Sequence, residues 1–279
     1  MHGPEILVRS LSRPAVPQKD SAHLWQYHSR SDRHSKIACW GILFDLLGES
    51  AVLRRQFEAG TLAFGVNHEM RDFRVNRRKN LDLVVCTPRQ PGTGRSLADL
   101  LPKYGIELSR QEAALLAKLP AVLEAPVGTV RIALEAKACM TEHVKALPRL
   151  YDELNSSHLT VHGAANNAVA VGVCMVNAAE SFVSPDINKL DPAISPPRVT
   201  AHDQPRVTLR VLQKLHELPR RTRPTEEGFD AFGVAVVVCR NDGSPVTLVE
   251  QPPAPQPGEI FEYAAMIRKA VGEYESRYR

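Results

Sequence analysis

Apolar residues along the chain follow two rhythms, one helical and one of strands. From Arg33 to Phe57 the positions Ile37, Trp40, Phe44, Leu47 and Val52 recur at helical spacing, and Ser31 or Asp32 stands where a helix cap belongs. Gly60 ends that pattern. Strands are predicted at Thr61–Val66, Leu81–Cys86 and Val130–Ala138, the last being the clearest. The segment Thr87–Gly128 interrupts the strands with a turn-rich opening (Pro88, Pro91, Gly92, Gly94) and two short helices, near Leu97–Lys103 and Arg110–Lys118. A helix over Glu142–Leu154 follows, with Ala146, Leu147, Leu150 and Leu154 on one side; its Pro148 removes one hydrogen bond. Ala168–Val176 is apolar throughout, as a central strand covered on both faces must be.

The remainder divides around proline. Residues 1–30 carry Pro4, Pro14 and Pro17 and read as an N-terminal arm. Residues 31–181 form the core, with 87–128 as an insertion, and 182–279 form a C-terminal extension. The extension begins with a proline-rich linker from Ser184 to Pro224 that holds one helix, Arg206–Leu218. Ala231–Cys239 and Val246–Glu250 then flank Asn241-Asp242-Gly243, a hairpin signal. A terminal helix, Glu259–Tyr278, presents Ile260, Tyr263, Ile267, Ala270 and Tyr274 on one side. The expected class is α/β (α+β): helix, three strands, helix, strand, in a mixed central sheet flanked by helices, with a C-terminal hairpin and helix.

Composition narrows the setting. A chain of 279 residues with 24% charged residues is folded rather than disordered. The five cysteines are far apart and form no CxxC pair, so neither a disulfide framework nor a zinc knot is expected. The start lacks the apolar stretch of a signal peptide, and the run Ala168–Val176 is too short to span a bilayer. A cytoplasmic protein without a membrane partner is the expectation. The net charge of +4 permits a polyanionic partner without requiring one.

The informative chemistry lies in two strands. In Arg131-Ile132-Ala133-Leu134-Glu135-Ala136-Lys137, Ile132, Leu134 and Ala136 share one face, and Glu135 and Lys137 the other. A carboxylate and an ammonium on a core strand are costly unless paired or used. Asp82 likewise interrupts Leu81, Leu83, Val84 and Val85. If the two strands are neighbours, Asp82 and Glu135 can hold a divalent cation. Two hard oxygen donors suit magnesium, which keeps waters and takes further ligands from phosphate oxygens. Lys137 would then stand beside the ion, placed to orient or deprotonate an attacking water. The bland alternative is a strand-surface ion pair of Glu135 and Lys137, with Asp82 beginning a turn.

At these residues the sequence resembles the PD-(D/E)XK nuclease superfamily, of restriction-endonuclease-like fold. The resemblance rests on Leu81-Asp82-Leu83-Val84-Val85 paired with Glu135-Ala136-Lys137, and on the element order from about 33 to 176, roughly half the chain. Leu81 stands where the family usually has proline, and the gap from Asp82 to Glu135 is long. The resemblance implies a metal site of Asp82, Glu135 and the Ala136 carbonyl for magnesium or manganese, with Asp82, Glu135 and Lys137 catalytic. It also implies an acid on the first helix, for which Asp32, Asp45 and Glu49 are candidates.

Two basic stretches are candidate phosphate contacts: Arg71, Arg74, Arg77, Arg78 and Lys79 before the Asp82 strand, and Arg33 and Lys36 within the earlier run from Tyr27. A solvated charged loop is the plainer alternative for each. His143, Lys145 and Arg149 are further candidates, with an ordinary surface role at least as fitting. Other motifs fail. His68-Glu69-Met70-Arg71-Asp72 lacks the second histidine of a zinc helix, Gly92-Thr93-Gly94-Arg95-Ser96 lacks the glycine and lysine of a phosphate loop, and there is no GxSxG elbow. His158 and His162 read as part of the loop entering the last core strand. Aromatic residues are only 6%, so a stacking platform for single strands is not suggested.

The expectation is a magnesium-dependent endodeoxyribonuclease, plausibly in restriction or anti-phage defence, with DNA as partner. A homodimer through the terminal helix, a partner protein or an activating ligand is compatible with it. The alternatives are a structure-specific repair or recombination nuclease, a non-catalytic nucleic-acid-binding protein on the same fold, and, least supported, a small-molecule enzyme on another α/β fold.

Overall fold

The computed structural model describes residues 1–19, 22–92, 94–189 and 195–279. In chain order the elements are α1 (Gly3–Ser12), β1 (Val16–Pro17), β2 (Leu24–Trp25), α2 (Arg33–Glu49), α3 (Ala51–Glu58), β3 (Ala63–Asp72), β4 (Arg77–Pro88), α4 (Leu100–Tyr104), α5 (Arg110–Leu116), β5 (Val127–Cys139), α6 (His143–Ala164), β6 (Val169–Asn177), β7 (Ser181–Phe182), β8 (Thr200–Ala201), α7 (Arg206–His216), β9 (Ala231–Val238), β10 (Thr247–Leu248) and α8 (Tyr263–Tyr278). Thr93 of the glycine-rich turn and residues 190–194 of the proline-rich stretch lie outside the described residues.

Six strands form one open mixed sheet in the order β10-β9-β6-β5-β4-β3. The ladders β3–β4 and β4–β5 are antiparallel, β5–β6 and β6–β9 are parallel, and β10 closes the far edge antiparallel to β9. Each face has its own core. Leu83, Ile132, Leu134, Val171, Val173 and Val237 pack under α1, α2 and α8. Val84, Ala133, Ala170, Cys174, Val234 and Val236 pack under α6 and α7. All nine residues of β6 are buried, which is why its sequence is continuously apolar rather than alternating.

Several expectations change. The N-terminal arm is instead a buried helix: Ile6 and Leu11 are almost fully covered, and α1 lies against α2. Pro4 sits in its first turn, where the missing N–H breaks no helical bond, and Asp45 accepts hydrogen bonds from the backbone N–H groups of His2 and Gly3 at 2.8 Å each. The two helices meet at glycines; a Cβ on Gly41 would come 2.8 Å from the Gly3 Cα. The C-terminal part is no separate extension either, because β9 and β10 complete the same sheet.

The single helix expected from Arg33 to Phe57 divides at Ser50, whose hydroxyl accepts the Leu53 N–H and caps α3. The helix after the third strand runs on to Ala164, so His158 and His162 are helical, not in a loop. Both are buried. Burial, reinforced by neighbouring positive groups, holds each down to about 4, so they are neutral packing groups. Met266, Ile267, Ala270 and Tyr274 of α8 are buried in the chain's own core, which withdraws that face as a dimer surface.

Candidate active site

Strand β4 leaves β5 at Asp82. The β4–β5 ladder pairs Leu83 with Leu134 and goes no further towards the hairpin tip. Leu81 packs with α6 whereas Leu83 packs with α2, so the alternation of faces breaks at Asp82. Opposite it in β3, Asn67 takes a left-handed φ of 54° and is skipped by the ladder between Val66↔Leu83 and His68↔Leu81. Beyond this kink the outer half of the β3–β4 hairpin turns across α6, burying Met70 and Leu81 with Leu150 and Leu154.

The opening between the strands is filled by charged side chains. Asp82 Oδ2 accepts the Ala136 backbone N–H at 3.0 Å, replacing the strand partner that β4 no longer supplies. Its Oδ1 accepts the Ser35 hydroxyl at 2.8 Å and Lys36 Nζ at 2.7 Å, both from the first turn of α2. Burial pushes the Asp82 carboxyl up, but the Lys36 ammonium and the Lys36 and Ala136 hydrogen bonds outweigh it and leave it below the usual aspartate value.

Glu135 is in the opposite situation. It is 2% exposed, and neither carboxylate oxygen accepts a hydrogen bond. Lys137 Nζ is 2.8 Å from Oε1 and Lys79 Nζ is 3.8 Å away, ion contacts without hydrogen-bond alignment. Burial and the nearby charge of Asp82 raise Glu135 above the usual glutamate value against the pull of both lysines. Lys137 also reaches Glu153 of α6, at 3.7 Å. Burial disfavours its charged form, but Glu135, Asp82 and Glu153 more than compensate, so Lys137 is held as an ammonium.

Asp82, Ala136 and Lys137 line a cavity of about 400 Å³ together with His34, Ser35, Arg149 and Glu153, whereas Glu135 is buried and is not part of that lining. Arg30 and Arg149, 82% and 85% exposed, supply positive charge at its rim. Of the three candidate first-helix acids, Asp32 is the one that lines this cavity, 3.8 Å from Lys36 Nζ. Asp45 is bound to the α1 terminus, and Glu49 lies at the other end of α2.

The structure thus brings together Asp82, Glu135, Ala136 and Lys137. It does not place the basic stretches as expected. Arg33 is 7% exposed, and its guanidinium donates to the carbonyls of Ser10 (2.6 Å), Tyr104 (3.0 Å) and Gly105 (3.2 Å), tying α1 and the end of α4 to α2. Lys36 is buried under Asp82. Neither is free for a phosphate. Lys79 points inward, donating to the Glu153 carbonyl at 3.1 Å, and none of Arg71, Arg74, Arg77 and Arg78 lines the cavity. His143 is buried with Nε2 2.8 Å from the Asn177 carbonyl, and Lys145 pairs locally with Glu142.

Sequence reasoning missed Glu153 and the inward roles of Ser35 and Lys36, which bond Asp82 rather than a phosphate. Glu153 carried a signal, since it sits one helical turn from Arg149 and beside Leu150 and Leu154 on the apolar side of α6.

A hard cation fits this donor set. Glu135 offers two buried oxygens that accept no aligned hydrogen bond, Oε1 being in ion contact with Lys137, and Asp82 Oδ2 has a lone pair to spare. Among the described residues no three of His, Cys, Asp and Glu converge to hold a metal by themselves. Magnesium resting on two carboxylates takes its other ligands from water and phosphate, so the site would be completed by substrate.

No family model, curated protein or solved structure matches the chain. No helix among the described residues is long and apolar enough to cross a membrane.

Proposed function

We propose that the chain is a metal-dependent deoxyribonuclease of the PD-(D/E)XK type, hydrolysing phosphodiester bonds in the cavity lined by Asp82 and Lys137, with Glu135 buried beside Asp82. The observation that carries this reading is the buried Glu135 carboxylate, in ion contact with Lys137 but accepting no aligned hydrogen bond, beside Asp82 at the point where β4 and β5 part. The supporting arrangement is α2, then β3, β4 and β5, then α6 and β6, the order of the family's core.

Asp82 and Glu135, with the Ala136 carbonyl, would hold magnesium or manganese. An ion bound there would supply positive charge against that developing on the phosphate and on the leaving oxygen. Lys137, kept protonated by Glu135, acts as a donor that orients the attacking water and contacts a phosphate oxygen; its raised pKa unsuits it to deprotonating that water. Glu153 restrains the Lys137 ammonium from the α6 side. Arg30 and Arg149 meet the approaching phosphates. Water would attack phosphorus in line and pass its proton to a neighbouring solvent water, the bond to the 3′ oxygen would break and that oxygen take a proton from solvent, so the products would carry a 5′-phosphate and a 3′-hydroxyl. A role in restriction or anti-phage defence, or in repair, is an extension of the same chemistry, as are a partner protein or activating ligand.

One observation favours a second reading. Lys36, Lys79 and Lys137 already face Asp82, Glu135 and Glu153, so the charges balance without a cation. A non-catalytic DNA-binding protein would retain such a network as structure. Isothermal titration of magnesium and cleavage of plasmid DNA separate the two: the nuclease binds the ion through Glu135 and cuts, whereas the binding protein does neither.

A further inference from the structure

The outer β3–β4 hairpin is unlike any other surface of the molecule. The ladder ends at Asp72↔Arg77, leaving a turn of residues 73–76 in which Asn76 is left-handed at φ 52°. Phe73 at the tip is 77% exposed and Val75 is 60% exposed, against the usual burial of such side chains. The Arg71 guanidinium lies 4.9 Å from the Phe73 ring centroid while donating to the Asn76 side-chain Oδ1, so the ring is held out rather than folded back.

Residues 71–79 carry five basic side chains and one acid, and that acid, Asp72, is buried and bonded to Arg74. The arm is also anchored. Asp72 packs so closely on Gly163 of α6 that a Cβ there would fall 2.0 Å from its carboxylate.

We propose that this hairpin is a DNA-groove finger: Phe73 enters the minor groove of duplex DNA as an apolar wedge that kinks it, while Arg71, Arg74, Arg77 and Arg78 hold the flanking phosphates. An apolar wedge between base steps, flanked by basic side chains, is the chemistry by which proteins bend DNA from the minor groove. The charge of the arm selects a polyanion over an acid-poor protein surface. Two exposed apolar side chains are also far too little for a stable dimer, which buries on the order of 1,000 Å² or more. Phe73 lies nine residues from Asp82, so the wedge stands at most ~30 Å from the cleavage centre. That is about nine base-pair steps along one duplex. The inference rests on the nuclease reading for its substrate, and it adds the element that would set substrate shape.

The test uses the full chain in EDTA, so that binding is read without cutting, and a 30-base-pair duplex carrying donor and acceptor dyes at its ends. The wild type brings the dyes closer. Phe73→Ser, whose thermal melting stays that of the wild type because the ring is exposed, binds on the order of tenfold more weakly and leaves the duplex straight. Arg77→Ala retains bending, and its salt dependence falls by about one unit of slope. A Phe73→Ser protein that bends DNA like the wild type overturns the proposal. So does light scattering that finds a wild-type dimer dissolved by Phe73→Ser, since the tip then belongs to a second copy. Cutting is scored separately with magnesium. A wild type that bends DNA but never cuts supports the finger and removes the nuclease. A wild type that cuts, with Phe73→Ser cutting and bending equally, removes the finger alone. Neither bending nor cutting overturns both.

Discussion

Replacing Lys36 by methionine isolates the electrostatic demand at the centre of the site. The Lys36 side chain is 3% exposed and its Nζ lies 2.7 Å from Asp82 Oδ1. Methionine fills most of the space of the lysine stem, so the change is chiefly loss of the ammonium. Removing one member of a buried ion pair costs about 3–5 kcal/mol. Asp82 keeps the Ser35 hydroxyl and the Ala136 N–H, which argues for the lower end, about 3 kcal/mol. For a chain of this size that lowers Tm by roughly 6–12 °C.

The pH dependence supplies a sign. In the wild type the depressed Asp82 contributes stability that is present above its unfolded value and lost as pH falls through the lower folded value. Without Lys36, burial dominates and the folded carboxyl titrates above its unfolded value. The deficit of Lys36→Met is therefore largest at pH 8 and shrinks towards pH 4. Magnesium makes the argument specific. A cation held by Asp82 and Glu135 takes over the role of the lost ammonium, and at one hundred times its Kd it returns about 2.7 kcal/mol. Urea unfolding of both proteins at pH 8 and pH 4.5, with magnesium and with EDTA, reads all three effects. A loss below about 1 kcal/mol, equal at both pH values and indifferent to magnesium, would refute the reasoning.

Three further outcomes follow from the same geometry. Cleavage rises with pH as Glu135, raised by burial and by Asp82, gives up its proton to become a cation ligand; Glu135→Gln abolishes that limb of the pH–rate profile together with magnesium binding. Arg221, fully buried, donates to Asp230 at 2.7 Å and to the Ala168 carbonyl at 2.9 Å, so Arg221→Met costs about 3–5 kcal/mol in urea unfolding while the cavity residues keep their magnesium affinity. Gly163→Ala drives a methyl group into the Asp72 carboxylate, so hydrogen exchange quickens in the hairpin of residues 67–81 and stays unchanged in β6 and β9.

The site was legible in the sequence where charge interrupts apolar strands. Asp82, Glu135 and Lys137 stood out because an ion in such a setting is paired or used. Lys36 and Arg33 were misplaced for the converse reason. Their neighbours Ser29, Arg30, Ser31 and Asp32 are polar, so the run looks like solvated loop, and nothing local records that α1 and β4 cover it. The element order was readable from periodicity, but α1 was hidden by Pro4, which a first helical turn accepts without loss. The hairpin arm was also hidden. Its outer strands are polar because they leave the sheet at Asp82 and Asn67, so only the inner, apolar halves of β3 and β4 carried a strand signal.

The most direct test of the central claim is cleavage of supercoiled plasmid by the wild type, Glu135→Ala and Lys137→Ala proteins, each with magnesium and with EDTA. Metal-dependent cutting by the wild type, lowered at least a hundredfold in both variants while their folding and DNA binding persist, is the predicted result. Equal cutting by all three would move the active site elsewhere, and intact plasmid from a wild type that binds DNA would leave Asp82, Glu135 and Lys137 as the ion-paired frame of a binding protein.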